Sequence, residues 1–291
     1  MNRLKTGIFS LVGIIILVIS CTKEYPGIEE LDTQLVQEYI QKNNLTMQQY
    51  GQTGIYYQVV RQGTGPALAF NRETPFIYTV KSLDGSYSSL DTFAFSNRFY
   101  NFFGYLKPDS LRQVLKQAGA NQGGIVRVIL PSRFAYGKKG SGSIPGNASL
   151  DYSITALTAD QIANYDDLAI TKYLASQNLT GFSKSVNGVY YKIAEVGDGS
   201  AVISDESTIS VQYTGRFLTG KIFEQSASGT SFTRLLGDLI KGWREVLPLI
   251  KKGGSVRVII PSSLAYGMSG NQAIPPFSCL DFDIKVTDVA N

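Results

Sequence analysis

The sequence predicts an α+β protein built from two related domains, each a twisted antiparallel sheet packed against one short helix. Three observations carry this. Gly54-Ile55-Tyr56-Tyr57 returns as Gly188-Val189-Tyr190-Tyr191, and the stretch 123–131 (GGIVRVILP) returns at 253–261 as GGSVRVIIP. Self-similarity of that kind marks a duplicated structural unit. The most regular stretches alternate apolar and polar residues or run β-branched, as strands do. Helical spacing is best developed at 239–251, where Ile240, Trp243, Val246, Leu247 and Ile250 share one face.

In chain order, Arg3 and Lys5 precede an almost wholly apolar run at 7–20. At 1.5 Å per residue it spans about 21 Å, short of the ~30 Å hydrocarbon core. That length suits the apolar region of an export signal. Val18-Ile19-Ser20-Cys21 resembles the bacterial lipobox, which implies cleavage before Cys21 and lipidation of its thiol. An ordinary secretory leader is the competing reading. Residues 1–20 thus read as a lipoprotein signal and 21–30 as a polar tether, with the membrane held through a lipid at Cys21. An acylated Cys21 leaves Cys279 without an intramolecular partner.

The first domain is assigned to 31–157 with a helix at 32–43. A linker helix follows at 158–181, amphipathic over 166–177, and the second domain at 182–291. Repeat partners stand 134 apart at Asn44/Asn178 and 135 apart at Tyr78/Tyr213, then 130 apart from Gly123/Gly253 through Tyr136/Tyr266, Ile144/Ile274 and Asp151/Asp281. The first copy therefore carries extra residues between Tyr78 and Gly123, expected in its aromatic segment 92–105. Strands are expected at 208–213, 256–260 and 280–286. The last (LDFDIKV) alternates apolar and charged residues, so its charged side is expected in solvent. Gly253-Gly254 is expected to end the helix at 239–251.

Composition narrows the chemistry. The chain has no histidine, which removes His-assisted nucleophiles, imidazole acid–base catalysis and Cys/His zinc sites. No metal or cofactor is expected. The formal charge of +4 comes from 27 basic and 23 acidic residues. The basic residues are scattered, and Arg3 and Lys5 leave with the leader, so no nucleic-acid partner is expected. The glycosylation-type triplets at 44–46, 147–149 and 178–180 read as incidental in a lipobox-bearing chain.

Tyr213, Phe223, Phe232, Trp243, Tyr266 and Phe282 lie on separate predicted elements of the second copy. Pattern alone leaves them as core or as the lining of a concave apolar site. The stretches 211–226 (VQYTGRFLTGKIFEQS), 236–267 (LGDLIKGWREVLPLIKKGGSVRVIIPSSLAYG) and 273–286 (AIPPFSCLDFDIKV) resemble, in order, an FKBP-type peptidyl-prolyl isomerase domain. The resemblance implies a five- or six-stranded sheet wrapped around one short helix, and isomerase activity on proline-containing polypeptides. It assigns Trp243 to the floor of a proline pocket, with Tyr213, Phe223, Phe232 and Phe282 as walls. Leu239 and Ile240 fall at its edge, Ile240 with a backbone N–H toward the peptide. Tyr266 and Ile274 fall on a flap loop whose tyrosine hydroxyl donates to the substrate. Two departures are Glu224, where the family usually has aspartate, and Asn271, near a position often held by histidine.

The first copy keeps Tyr78, Tyr136, Ile144 and Tyr152. Gln113 stands where the repeat spacing would put a tryptophan, and LGDLIKGW has no recognisable counterpart near 103–111. It reads as a weak or inert copy used for binding, spacing or dimerisation, although segment 92–105 could supply a rebuilt pocket. The expected role is folding of exported proteins in the bacterial cell envelope, periplasmic or at the outer membrane. The alternatives are a non-enzymatic chaperone, or an envelope-complex lipoprotein using the same groove. The oligomeric state stays open.

Overall fold

The computed structural model describes residues 27–291, so Cys21, the signal and most of the tether lie outside the described residues. The chain runs α1 (Ile28–Lys42), β1 (Gln48–Gln49), β2 (Tyr56–Arg61), β3 (Glu73–Ser82), β4 (Ser88–Ser89), β5 (Arg98–Phe102), α2 (Asp109–Gln117), β6 (Ile125–Leu130) and β7 (Leu150–Ala156). It continues through α3 (Ala159–Ser176), β8 (Ser183–Lys184), β9 (Tyr190–Glu195), β10 (Thr208–Phe217), β11 (Ile222–Gln225), β12 (Phe232–Leu235), α4 (Lys241–Val246), β13 (Ser255–Ile260) and β14 (Leu280–Ala290). Each half forms one antiparallel sheet. The orders are β1-β2-β6-β7-β3-β4 with β5 beside β3, and β8-β9-β13-β14-β10-β11 with β12 beside β10. The two topologies are the same, and the α+β class holds.

Helix boundaries differ from the pattern reading for local reasons. α1 starts at Ile28, inside the expected tether, with Glu29 and Glu30 favourably placed in its first turn. α3 starts at Ala159 because Thr158 and Gln161 form a reciprocal capping box. α4 ends at Val246 and continues only as a short 3-10 turn over Leu247–Leu249, where Pro248 removes a donor. Gly253, at φ +85°, turns the chain into β13 rather than capping the helix.

Hydrogen bonds align the first copy's turn with LGDLIKGW. Leu236 and Gly237 donate to Ser207 O and Asp205 O, and Phe103 and Gly104 donate to Arg72 O and Phe70 O. Trp243 N donates to Ile240 O as Leu111 N donates to Pro108 O. The stretch 103–111 is therefore the counterpart that was unrecognisable in sequence. Leu111, not Gln113, occupies the tryptophan position; Gln113 faces solvent on the longer helix α2.

The lead-in helices belong to the repeat. Tyr39 Oη donates to Asp151 Oδ2 at 2.8 Å, where Arg127 binds the same carboxylate through two nitrogens. Tyr173 on α3 does the same to Asp281 at 2.8 Å, beside Arg257 at 3.0 and 2.7 Å and Arg216 at 3.2 Å. Asp281 is fully buried. The expectation of a solvated charged side on 280–286 thus fails at this residue, because α3 covers it. Asp283 and Lys285 on the same strand are exposed.

A second pair of contacts explains the buried Cys279. In the first copy Asp32 accepts from Ser132 Oγ and Ser149 Oγ, both at 2.9 Å. In the second, Asp166 Oδ2 accepts from Ser262 N at 2.8 Å and Ser262 Oγ at 2.6 Å. Cys279 stands at the repeat position of Ser149, and Asp166 Oδ1 is buried without a partner among the described residues. Burial raises the Asp166 pKa above the ordinary carboxylate range despite the Ser262 bonds. A raised folded-state pKa means its stabilising contribution is complete below the unfolded pKa and is lost as pH rises through the folded one. Cys279→Ser should supply the missing donor and stabilise the protein at neutral pH by about 1–2 kcal/mol. The gain should shrink as the pH falls through the raised folded-state pKa, because the protonated carboxyl of the wild type no longer carries an unpaired buried charge. Denaturant unfolding of both proteins across that range checks it; a gain independent of pH would contradict the assignment.

Candidate functional site

The second sheet wraps its concave face around α4, and the cleft opens at one end of that core. It has a volume of about 260 Å³ and is lined by Tyr213, Glu224, Phe232, Asp238, Leu239, Ile240, Trp243, Tyr266 and Phe282. They come from four strands, the entry to α4 and the flap loop. Tyr213 lies on β10, Glu224 on β11, Phe232 at the start of β12, Phe282 on β14 and Trp243 in the first turn of α4. Asp238 ends the 3-10 turn before the helix, and Ile240 is the helix N-cap.

The aromatic rings meet mostly edge to face. Centroid distances are 5.3 Å for Tyr213–Trp243 and Trp243–Phe282, and 5.8 Å for Tyr213–Phe232, with interplanar angles of 74–90°. Such pairs are favourable beyond their buried area and fix each ring's tilt. Trp243 is 4 % exposed, and its Nε1–H is buried with no partner among the described residues. Tyr266 is 37 % exposed and stands at the rim. Burial first, then the nearby Glu224 carboxylate, pushes both the Tyr213 and Tyr266 phenols above their ordinary pKa. Both are therefore neutral hydrogen-bond donors at physiological pH.

Eight of the ten residues named from sequence for this cleft come together in it. Phe223 and Ile274 do not line it. Phe223 stands behind the wall, edge-on to Phe282 at 5.7 Å and against Phe217 at 5.0 Å. Ile274 is buried in the core beneath the flap. Asn271 holds the flap itself, accepting from Ala273 N and Ile274 N at 2.8 Å. Asp238 was missed, although it sits within LGDLIKGW; a lone aspartate in a loop gives no signal.

Gly215 was also missed. A Cβ there would stand 2.6 Å from Phe282 Cε1 and 2.7 Å from Phe223 Cζ. Gly215→Ala should force those rings apart, destabilise the domain by about 1–3 kcal/mol and distort the cleft. Thermal unfolding and Trp243 fluorescence measure both effects; a variant with native stability and spectrum would count against this packing.

At the first copy's equivalent positions the tyrosine hydroxyls are tied to internal partners. Tyr78 Oη donates to Ser96 O at 2.7 Å, and Tyr152 Oη lies 3.4 Å from Tyr136 Oη. Leu111 replaces the indole and Ser89 stands at the register position of Glu224. The aromatics of 92–105 turn elsewhere: Phe103 into the core, Phe93 onto Tyr165 of α3 and Phe95 onto Phe217 of the second domain.

Residues 199–287 match the family model of the FKBP-type peptidyl-prolyl cis-trans isomerase. The chain is 41% identical over 110 residues to the FKBP-type peptidyl-prolyl cis-trans isomerase FkpA of Escherichia coli, covering 38% of this chain and 40% of that protein. It is 43% identical over 105 residues to a probable FKBP-type isomerase of Haemophilus influenzae, covering 35% and 43%. The FkpA of Buchnera aphidicola matches at 39% over 114 residues, 39% of this chain and 45% of that one. The matched stretch thus spans less than half the length of these relatives. The crystal structure of FkpA from Escherichia coli aligns with a TM-score of 0.40 at 35% identity, over 45% of this chain and 61% of that one. The matched residues fall within the second domain, around the cleft floored by Trp243.

Proposed function

We propose that the second domain is a peptidyl-prolyl cis-trans isomerase acting on exported proteins, tethered to the bacterial cell envelope through Cys21. The observation that carries the isomerase reading is the cleft floored by Trp243 and walled by Tyr213, Phe232 and Phe282, within the residues that match the FKBP-type family model. Anchoring and location rest on the lipobox-like sequence ending at Cys21.

The chemistry needs no proton transfer. Amide resonance holds the Xaa-Pro bond planar behind a barrier of about 20 kcal/mol, giving interconversion over tens of seconds. Resonance is lost as the bond twists, and with it much of the charge separation between nitrogen and oxygen. An apolar aromatic cleft disfavours the dipolar planar amide and accepts the twisted one, which lowers the barrier by differential binding. The proline ring would sit on the Trp243 indole. Tyr266 Oη and the Ile240 N–H, outside the α4 ladder because Ile240 is the N-cap, would hold the flanking chain. Leu239 and Phe232 give the cleft its apolar edge. Glu224 and Asp238 bring negative charge to the rim and favour substrates with a basic residue beside the proline. The first domain, with its equivalent tyrosines tied to internal partners, serves in binding and positioning.

A protease-coupled assay on a proline peptide with the full chain tests this reading. Acceleration that is lost in Trp243 variants is expected. A wild-type chain with no acceleration of peptides or of a proline-limited refolding reaction would refute it and leave a chaperone that grips extended segments in the same cleft.

A further inference from the structure

The flap that carries Tyr266 is held by the first domain. Phe277, three residues beyond Ile274, is 1 % exposed and has φ +54°. A bulky side chain adopts that left-handed backbone only when its surroundings over-determine it. Those surroundings are not its own sheet. The ring packs with Leu157 and Ile162 and with Ile77 and Tyr100, all from the first domain or the start of α3. Tyr100 meets it edge-on at 5.8 Å. The Phe277 carbonyl accepts from Arg98 Nη1 at 2.6 Å, while Nη2 of the same guanidinium holds Phe93 O at 2.6 Å. The faces of Phe95 and Tyr165 lie 5.3 Å from the Arg98 guanidinium carbon, completing its cage.

The cleft wall is supported from the same segment. Phe95 stands edge-on to Phe217 at 5.1 Å; Phe217 touches Phe223, and Phe223 meets Phe282 of the cleft. Segment 93–100 therefore supports the site indirectly from two sides: the end of the flap through Arg98 and Tyr100 on Phe277, and the wall through Phe95 by way of Phe217 and Phe223. We propose that Arg98 is a positioning residue for the second domain's cleft, and that the first domain sets the flap's geometry for substrate. This rests on the isomerase reading for its consequence but not for the clamp itself. A planar fork is required, because two carbonyls from different domains must be held at once.

The test uses the full chain with Arg98→Ala and, to empty or refill the socket, Phe277→Ala and Phe277→Leu. Amide hydrogen exchange at 265–278 should quicken about tenfold in Arg98→Ala and Phe277→Ala, the scale of one lost charge-assisted hydrogen bond or apolar plug. Exchange in β13 (Ser255–Ile260) should not change, and Phe277→Leu should restore most of the protection. kcat/KM on a proline peptide should fall about tenfold in the two alanine variants, chiefly through KM, as expected when a holding group is misplaced. Unchanged flap exchange would overturn the clamp. Faster flap exchange with unchanged kcat/KM would overturn its role in positioning. An inactive wild type would refute the isomerase reading alone. The role would then be judged by proline-peptide affinity, read from Trp243, the single tryptophan of the chain; equal affinity in wild type and Arg98→Ala would overturn it.

Discussion

Trp243→Leu should lower the isomerase kcat/KM by about a hundredfold while leaving the second domain folded. The first copy already shows that this fold accepts leucine there, since Leu111 fills the equivalent helix position and is 1 % exposed. The indole makes the cleft floor and carries edge contacts to both Tyr213 and Phe282, so leucine removes the flat surface and frees two walls. A hundredfold loss is about 2.7 kcal/mol of transition-state binding. The expected loss in stability is about 2–4 kcal/mol, from the volume left empty. Steady-state kinetics with thermal unfolding separates the two effects. A kcat/KM within about threefold of wild type would exclude Trp243 as the floor of the working site. The reverse change, Leu111→Trp, should add no activity, because Tyr78 and Tyr136 are already tied to Ser96 and Tyr152.

Asp281→Ala should be the most destabilising surface-sequence change in the second domain, though it reads as a solvent-facing strand residue. Its carboxylate is fully buried between Arg257, Arg216 and Tyr173. Removing it leaves Arg257 and the Tyr173 phenol without their carboxylate and leaves Arg216 with Asp283 alone. Breaking a buried pair from one side costs about 3–5 kcal/mol, which lowers Tm by about 12 °C or more in a domain of roughly 100 residues. It should also loosen α3 from the sheet, because Tyr173 docks on the same carboxylate. The control is Asp283→Ala: Asp283 is 52% exposed and paired with Arg216, and its loss should stay within about 1 kcal/mol. Equal shifts for the two variants in differential scanning calorimetry would overturn the buried network.

Most of the cleft was legible because its parts are short, ordered motifs. AYG brings Tyr266, LGDLIKGW brings Leu239, Ile240 and Trp243, and LDFDIKV brings Phe282. Phe223 and Ile274 were assigned to the lining by resemblance. Whether an aromatic residue faces a cleft or the layer behind it depends on side-chain packing between strands, which no local pattern encodes. Constant spacing puts Gln113 at the tryptophan position, but the two helices differ in length there. The hydrogen bonds of Gly104 and Gly237, together with those of Leu111 and Trp243, restore the alignment.

The sequence by itself determined the duplication, the α+β class, the dominance of antiparallel strands and the group of residues around Trp243. These rest on repeat spacing and on periodicities that a strand or helix must satisfy wherever it lies. Tertiary structure alone decided that Asp281 is buried, that Asp166 Oδ1 lacks a donor among the described residues where Ser149 has become Cys279, and that Phe277 of one domain is seated in the other. Each of these is a contact between residues about 100 to 180 positions apart. Burial and pairing across such separations come from how whole elements pack, and alternation along one strand cannot specify what will cover it.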